Sequence, residues 1–305
     1  MDSAQIEMRP DQSQTRPMTK IRLLPPIFAC VLMLSGCSGM RLAYNSADFL
    51  IERYADDYLG LDGNQMASWS PTLDLALAQH REQELPYLAA FFDSAQNDAR
   101  KGFTSADMHC LLDQFEVIYR RHFTLAVEAV APLLAALDKQ QIDALERTFR
   151  DEAREDAEDN APGDADKLKR KRAKRYEKNM QWWVGDLSDQ QREIVRDVTA
   201  SMPESSIWYA YRDGKRRELI ALLRGQASAE RIERFLNDWL VEYLDMPAAL
   251  ERARTDMRRG FTDLLVRLDA TLDPGQRRKL IDRLTRLRGD FMALQKQARM
   301  APVGC

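Results

Sequence analysis

Glycine is scarce, with 13 in 305 residues, and β-branched runs are nearly absent. No segment alternates apolar and polar residues for long enough to propose a strand. Sheets and barrels are thereby excluded. So are the glycine-rich phosphate loops and dinucleotide fingerprints, and no Gly-x-Ser-x-Gly elbow occurs either. Histidine is rarer still. His80, His109 and His122 are the only three, and none has a second ligand at the spacing of a zinc helix. His109 and Cys110 are adjacent, and neighbours in a helix do not face each other. Asp56, Asp57 and Asp62 lack the pattern of a calcium loop. The sequence therefore implies no metal, no cofactor and no catalytic residue. Charge of one sign is missing too: the formal net charge is −3, which gives no reason to expect a nucleic-acid partner. Finally, there is no long apolar run. Residues 21–34 come nearest, but Pro25 and Pro26 interrupt them, and the stretch falls short of the ~20 residues that span a bilayer.

That short run has another reading. Met18 opens a segment with Lys20 and Arg22 ahead of the apolar stretch, and the stretch ends in Leu34-Ser35-Gly36-Cys37. A basic start, a short apolar middle and small residues before a cleavage point describe a secretion signal. The last four residues resemble the bacterial lipobox, in which the cysteine thiol is acylated and becomes the new N-terminus. The reading for the chain is an extension or misassigned start over 1–17, a lipoprotein signal peptide over 18–36, and one helical domain over 37–300. A short tail over 301–305 follows. Several acyl chains on Cys37 suffice for stable anchoring where one would be marginal. Ser38, where some sorting rules look for Asp, favours the periplasmic face of the outer membrane. The mature chain then carries a charge of about −4.

Cysteine usage follows from this. Cys30 leaves with the signal and Cys37 carries lipid, so Cys110 and Cys305 remain in an oxidising compartment. They are candidates for a disulfide, or Cys110 is a buried thiol and Cys305 a loose terminal one.

The body has helical periodicity almost throughout. Asn45 or Ser46 can cap a helix ending near Leu59-Gly60. Leu111, Leu112, Phe115, Ile118, Tyr119, Phe123 and Val127 recur in steps of three and four, as do Phe261, Leu264, Leu265, Leu268 and Leu272. Leu280, Leu284, Leu287, Phe291 and Leu294 do the same. Such stripes put one face of each helix in a core. The expected fold is all-α, an elongated multi-helix bundle with a projecting charged helical hairpin.

Four helix starts share one pattern: Leu61-Asp-Gly-Asn-Gln65, Leu137-Asp-Lys-Gln-Gln141, Leu187-Ser-Asp-Gln-Gln191 and Leu272-Asp-Pro-Gly-Gln276. Asp or Ser three residues before Gln is capping-box spacing, and the leucine ahead can act as a hydrophobic staple. Pro274 suits a first helical position. The pattern resembles the Leu-Thr-x-x-Gln signature of small helical periplasmic chaperones, although capping chemistry alone accounts for it.

The charged hairpin is expected over 151–178. Asp151, Glu152, Glu155, Asp156, Glu158 and Asp159 precede a turn at Asn160 to Gly163. Lys167, Lys169, Arg170, Lys171, Arg172, Lys174 and Arg175 follow it. Each set lies at the unfavourable end of its helix dipole, which antiparallel pairing of acids against bases would offset. The basic residues are either a self-paired, solvated face or a stripe for lipid phosphates or peptidoglycan. A second candidate is Trp208, Tyr209, Tyr211 and Arg212, which form either a groove for a peptide or glycan or an ordinary core stripe.

The segment from Arg41-Leu-Ala-Tyr-Asn45 through Gly60-Leu-Asp-Gly-Asn-Gln65, with Trp182-Trp183-Val-Gly-Asp-Leu187 further on, resembles an uncharacterised Gram-negative lipoprotein family (domain of unknown function 6279). The resemblance covers about residues 37 to 300 and implies no activity. Three functions remain open. One is a lipid-anchored, non-enzymatic binding or chaperone-like factor of the envelope, with an envelope protein or glycan as partner. The others are a glycan-cleaving enzyme of the envelope and a structural spacer.

Overall fold

The computed structural model describes residues 37–160 and 165–301, and every regular element among them is helical. The expected all-α bundle is what is found. In chain order the helices are α1 (Cys37–Asn45), α2 (Ala47–Leu59), α3 (Gly63–Gln79) and α4 (Leu85–Lys101), with one π-helical turn, His80–Glu84, between α3 and α4. There follow α5 (Ser105–Ala135), α6 (Lys139–Asp159), α7 (Ala165–Val184) and α8 (Asp189–Ser201). The last four are α9 (Ser206–Arg224), α10 (Ala229–Leu240), α11 (Ala248–Asp269) and α12 (Pro274–Leu294). The proposed signal peptide, the turn residues 161–164 and Cys305 lie outside the described residues.

Local chemistry sets the helix ends. Gly60 stops α2 in the left-handed region at φ 63°, where its N–H donates to the Asp56 carbonyl at 2.7 Å; a side chain there would be strained. Capping boxes open α3, α6, α8 and α12 at Asp62, Asp138, Ser188 and Asp273, each closed by the glutamine three residues on. Thr104 and Asp107 make another at α5.

The four glutamines do more than cap. Gln65 and Gln141 exchange amide hydrogen bonds at 2.9 and 2.7 Å, and Gln191 and Gln276 do so at 2.8 and 2.9 Å. Each Nε2 also donates to the carbonyl two residues before its partner's cap. Gln65 reaches Ala136, Gln141 reaches Gly60, Gln191 reaches Thr271 and Gln276 reaches Asp186. The same handshake thus joins the starts of α3 and α6, and again those of α8 and α12. The leucine ahead of each cap enters or borders the core beside it.

Those two joints belong to two apolar cores. The first gathers α2, α3, the second half of α5, α6, α9 and α10 around Trp69, Leu145, Leu219 and Ile232. The second gathers the end of α4, the first half of α5, and α7, α8, α11 and α12 around Val195, Leu264 and Leu284. At 31 residues, α5 is about 46 Å long and runs through both. A smaller cluster, Leu85, Ala89, Leu287, Phe291 and Leu294, holds the start of α4 against the end of α12, with Met40 and Tyr44 of α1 packed on it.

Two expectations need correction. Among the described residues, the charged helices α6 and α7 pack chiefly on other helices and not along one another. The principal partner of α6 is α9, and those of α7 are α8 and α12. Of the acids on α6, Glu152 accepts from Arg216 of α9 at 2.6 Å and Asp156 pairs with Arg212 of the same helix. Apolar burial decides this arrangement, because Leu145 and Phe149 share a core with Leu219 and Leu223, and exposed ion pairs contribute too little to override it. Second, Phe115 is not a core residue. It is 54% exposed while Gln114 is buried, so the buried stripe of α5 runs through Leu111, Gln114 and Ile118 at this point.

Candidate functional site

The first turns after Cys37 are fixed by their polar residues. Arg41 Nε donates to the buried carboxylate of Asp290 on α12 at 2.7 Å. The Tyr44 hydroxyl meets His80 Nδ1 at 2.7 Å. Asn45 Oδ1 accepts from Arg81 at 3.1 Å, and Arg81 lies over the Tyr44 ring and donates to the Leu294 carbonyl. Every polar side chain of Arg41-Leu-Ala-Tyr-Asn45 thus faces the body. Leu42 faces away and is 67% exposed. At the start of α2, Phe49, Leu50 and Ile51 are exposed as well, and Tyr54 follows one turn later. Five large apolar side chains on the first two helices are therefore left to solvent, more than scattered single exposures would give.

Beside these side chains lies an apolar cavity of about 430 Å³, within the ordinary range for ligand sites. Its walls come from α2, α3, α5 and α6. Ile51, Tyr54 and Ala126 stand at its exposed rim, while Trp69, Leu73 and Leu145 line the interior. No Asp, Glu, Lys or Arg lines it. The few polar atoms in the lining are mostly engaged: Trp69 Nε1 donates to the Ala129 carbonyl at 2.8 Å, the Tyr58 hydroxyl to Glu152, and His122 Nδ1 contacts the Ile118 carbonyl at 2.7 Å. His80 and His122 meet edge to face at 4.6 Å. Burial pushes the His80 imidazole down to about 3, with His122 and Arg81 adding to the effect. Burial lowers His122 as well. Both rings are neutral at pH 7, as an apolar wall requires. Burial also raises the Tyr44 phenol to about 12.

The residues singled out from sequence fall elsewhere. Cys37 is the first residue of α1. Cys110 accepts a contact from Gln114 Nε2 at 3.3 Å, while Cys305, its candidate partner, lies outside the described residues. Tyr211 packs into the first core, Arg212 is committed to Asp156 and Asp213 and lies over Tyr209, and Trp208 is half-exposed. The Trp208 and Tyr211 rings lie 6.1 Å apart. On α7, Lys167, Lys169, Arg170, Lys171, Lys174 and Arg175 are exposed. Arg172 instead closes the end of α8 by donating to the Thr199 and Met202 carbonyls. No group of three or more candidate ligands that could hold a metal occurs among the described residues, and no helix among them is long and apolar enough to cross a membrane.

Three carboxylates are deeply buried, and each has an arginine. Glu84 takes a bidentate grip from Arg121 at 2.7 Å for both bonds. Asp269 holds Arg277 and accepts from the Phe103 N–H at 2.9 Å. Asp290 holds Arg41. These are structural pairs, since a buried carboxylate left alone would be costly.

Neither the curated proteins nor the solved structures contain a match to this chain. A family model does match, over residues 57–244. That span takes in α3 to α10, the first glutamine pair and most of the cavity, and it leaves Arg41 to Asn45 outside. Covering more than half of the chain, it shows that the protein belongs to the family of unknown function DUF6279.

Proposed function

We propose that this is a lipid-anchored, non-enzymatic binding protein, held by acyl chains on Cys37 at the periplasmic face of the outer membrane. The observation that carries the proposal is the division of labour in α1 and α2. Arg41, Tyr44 and Asn45 lock the first turns to α12 and to the π-helical turn, while Leu42, Phe49, Leu50 and Ile51 face outward. A chain tethered at Cys37 would bring this apolar face to the headgroup boundary, where its burial adds to the anchor. The docked helix would then fix the orientation of the body as well as its location. The partner in this reading is the membrane first, and then an envelope component presented to the body.

The lining of the cavity supports binding over catalysis. It contains no carboxylate, and the buried Glu84 that a glycan-cleaving enzyme would need as an acid is clamped by Arg121. A general acid must be free to give up a proton near neutral pH.

Fractionation of cells carrying the wild-type chain or Cys37→Ser tests the proposal. The wild type should sediment with outer membranes, and the variant should accumulate as unprocessed precursor. Identical processing and fractionation of the two would overturn it.

A further inference from the structure

We propose that the cavity between α2, α3, α5 and α6 is a binding site for a single acyl chain of a membrane lipid. The inference rests on the membrane-surface reading above and names the ligand of the site beside that surface.

The walls dictate the class of ligand. All of the lining comes from helices and the π-helical turn, whose interior N–H and C=O groups are already paired along the helix. The lining contains no serine, threonine, asparagine or glutamine, and no charged side chain. An extended peptide laid here would bury amides with nothing to bond to, at a cost that disfavours it. A glycan would bury hydroxyls in the same way. A hydrocarbon chain asks for nothing but apolar contact, and dry apolar cavities take such ligands. His80 and His122, both neutral, make edge-to-face contact where a charged pair would repel an alkyl chain.

The entrance points to the source. Ile51 belongs both to the rim of the cavity and to the exposed strip Phe49-Leu50-Ile51. An acyl chain leaving the bilayer along that strip reaches the cavity without crossing water. The exposed charges of α2 include Asp48, Asp56 and Asp57 against Arg53 alone. Glu152 and Arg216 beside Tyr54, and Arg81 beside His80, add charges of both signs, and a mixed surround suits the zwitterionic headgroup of a phospholipid.

Photolabelling tests the site. The full chain, purified from membranes, is reconstituted into phosphatidylethanolamine vesicles containing a phospholipid with a diazirine at the end of one acyl chain. It is then irradiated and peptide-mapped. Label should concentrate on α3 between Trp69 and Leu77 and on α5 between Leu125 and Leu134. Ala126→Trp, which sets an indole across the exposed mouth of the cavity, should reduce that label about tenfold, the fold-change that follows when about two methylene groups of the ligand can no longer be buried. Ala126→Leu should reduce it less. Leu75→Trp, on the exposed side of α3, should leave it unchanged. A circular-dichroism melt confirms that each variant is folded. Label confined to Leu42–Leu50, or cavity label that persists in folded Ala126→Trp, would overturn the proposal. So would cavity label displaced by an apolar peptide but not by unlabelled phospholipid. Cavity labelling of a chain unmodified at Cys37 would keep the ligand and remove the anchor; an acylated Cys37 with an unlabelled cavity would do the reverse.

Discussion

The side-chain amides of Gln191 and Gln276 form a closed pair, each donating to the other while its oxygen also accepts from the N–H of the cap three residues earlier. Two helix starts, 85 residues apart in sequence, are thereby joined through residues whose local task is capping. Gln65 and Gln141 repeat the arrangement in the other core. A glutamate would satisfy the capping box equally well. Only an amide carries the donor that reaches the opposite carbonyl and the acceptor that receives the partner.

Replacement of Gln191 is accordingly predicted to cost more than a lost cap. Gln191→Ala should lower unfolding stability by about 1–3 kcal/mol, because Gln276 and the Thr271 carbonyl lose a buried partner. Gln191→Glu should also destabilise, since it keeps the cap but loses the donor. Urea unfolding of Gln191→Ala, Gln276→Ala and the double variant, analysed as a double-mutant cycle, measures the coupling. A neutral Gln191→Glu would show that capping alone matters.

Docking of α1 depends on Arg41. Its removal leaves the Asp290 carboxylate buried and unpaired, but Arg41 itself is 43% exposed, so solvent screens part of the loss. Arg41→Ala should cost about 1–3 kcal/mol and raise amide exchange across α1 with little effect on α8. Arg41→Leu combined with Asp290→Leu should recover much of the loss. Unchanged protection of α1 in Arg41→Ala would refute the docking role.

His80 makes stability depend on pH. Its folded-state value is lowered to about 3 from 6.5, so the unfolded chain binds a proton that the folded chain refuses between those limits. Stability is therefore fully present above pH 6.5 and lost as pH falls toward 3, at up to ~1.4 kcal/mol per unit. His122 adds in the same direction. Tyr44, Arg81, Glu84 and Arg121 are the other titratable groups around the pair. His80→Gln should flatten the dependence between pH 6 and 4 in thermal melts, and an unaltered slope would exclude His80 as its source.

The apolar face of α1 and α2 predicts a separation of stability from binding. Leu42→Ser, Phe49→Ser and Leu50→Ser together should leave the melting temperature nearly unchanged, since exposed positions shift stability by about 0.5 kcal/mol or less. Vesicle binding of an unlipidated chain that begins at Ser38 should fall when the three are added to it. Equal binding with and without them would assign the face to something other than a membrane.

Much of the fold was legible because it rests on local rules. Capping boxes at Asp62, Asp138, Ser188 and Asp273 formed where the spacing placed them, and the stripes of α11 and α12 face the core. What stayed hidden was long-range. Nothing local says that Gln65 will meet Gln141, although glutamine at all four positions was a clue that an amide was needed. His80 and His122 are separated by 42 positions and become neighbours only through the packing of α3 against α5. The acids of α6 were seen as partners of the adjacent bases, whereas Arg212 and Arg216 of α9 hold two of them. The Arg41 to Asn45 segment stood out by resemblance, but its partners Asp290, His80 and Arg81 come from three separate places in the chain.

The central claim is that Cys37 carries the anchor and begins the mature chain. Intact-mass and N-terminal peptide mass spectrometry of the protein purified from membranes tests it most directly. The account predicts a chain beginning at Cys37, with a diacylglycerol thioether and an amide-linked acyl chain on that residue. A mature chain that retains residues 18–36, or one with an unmodified Cys37, would contradict it.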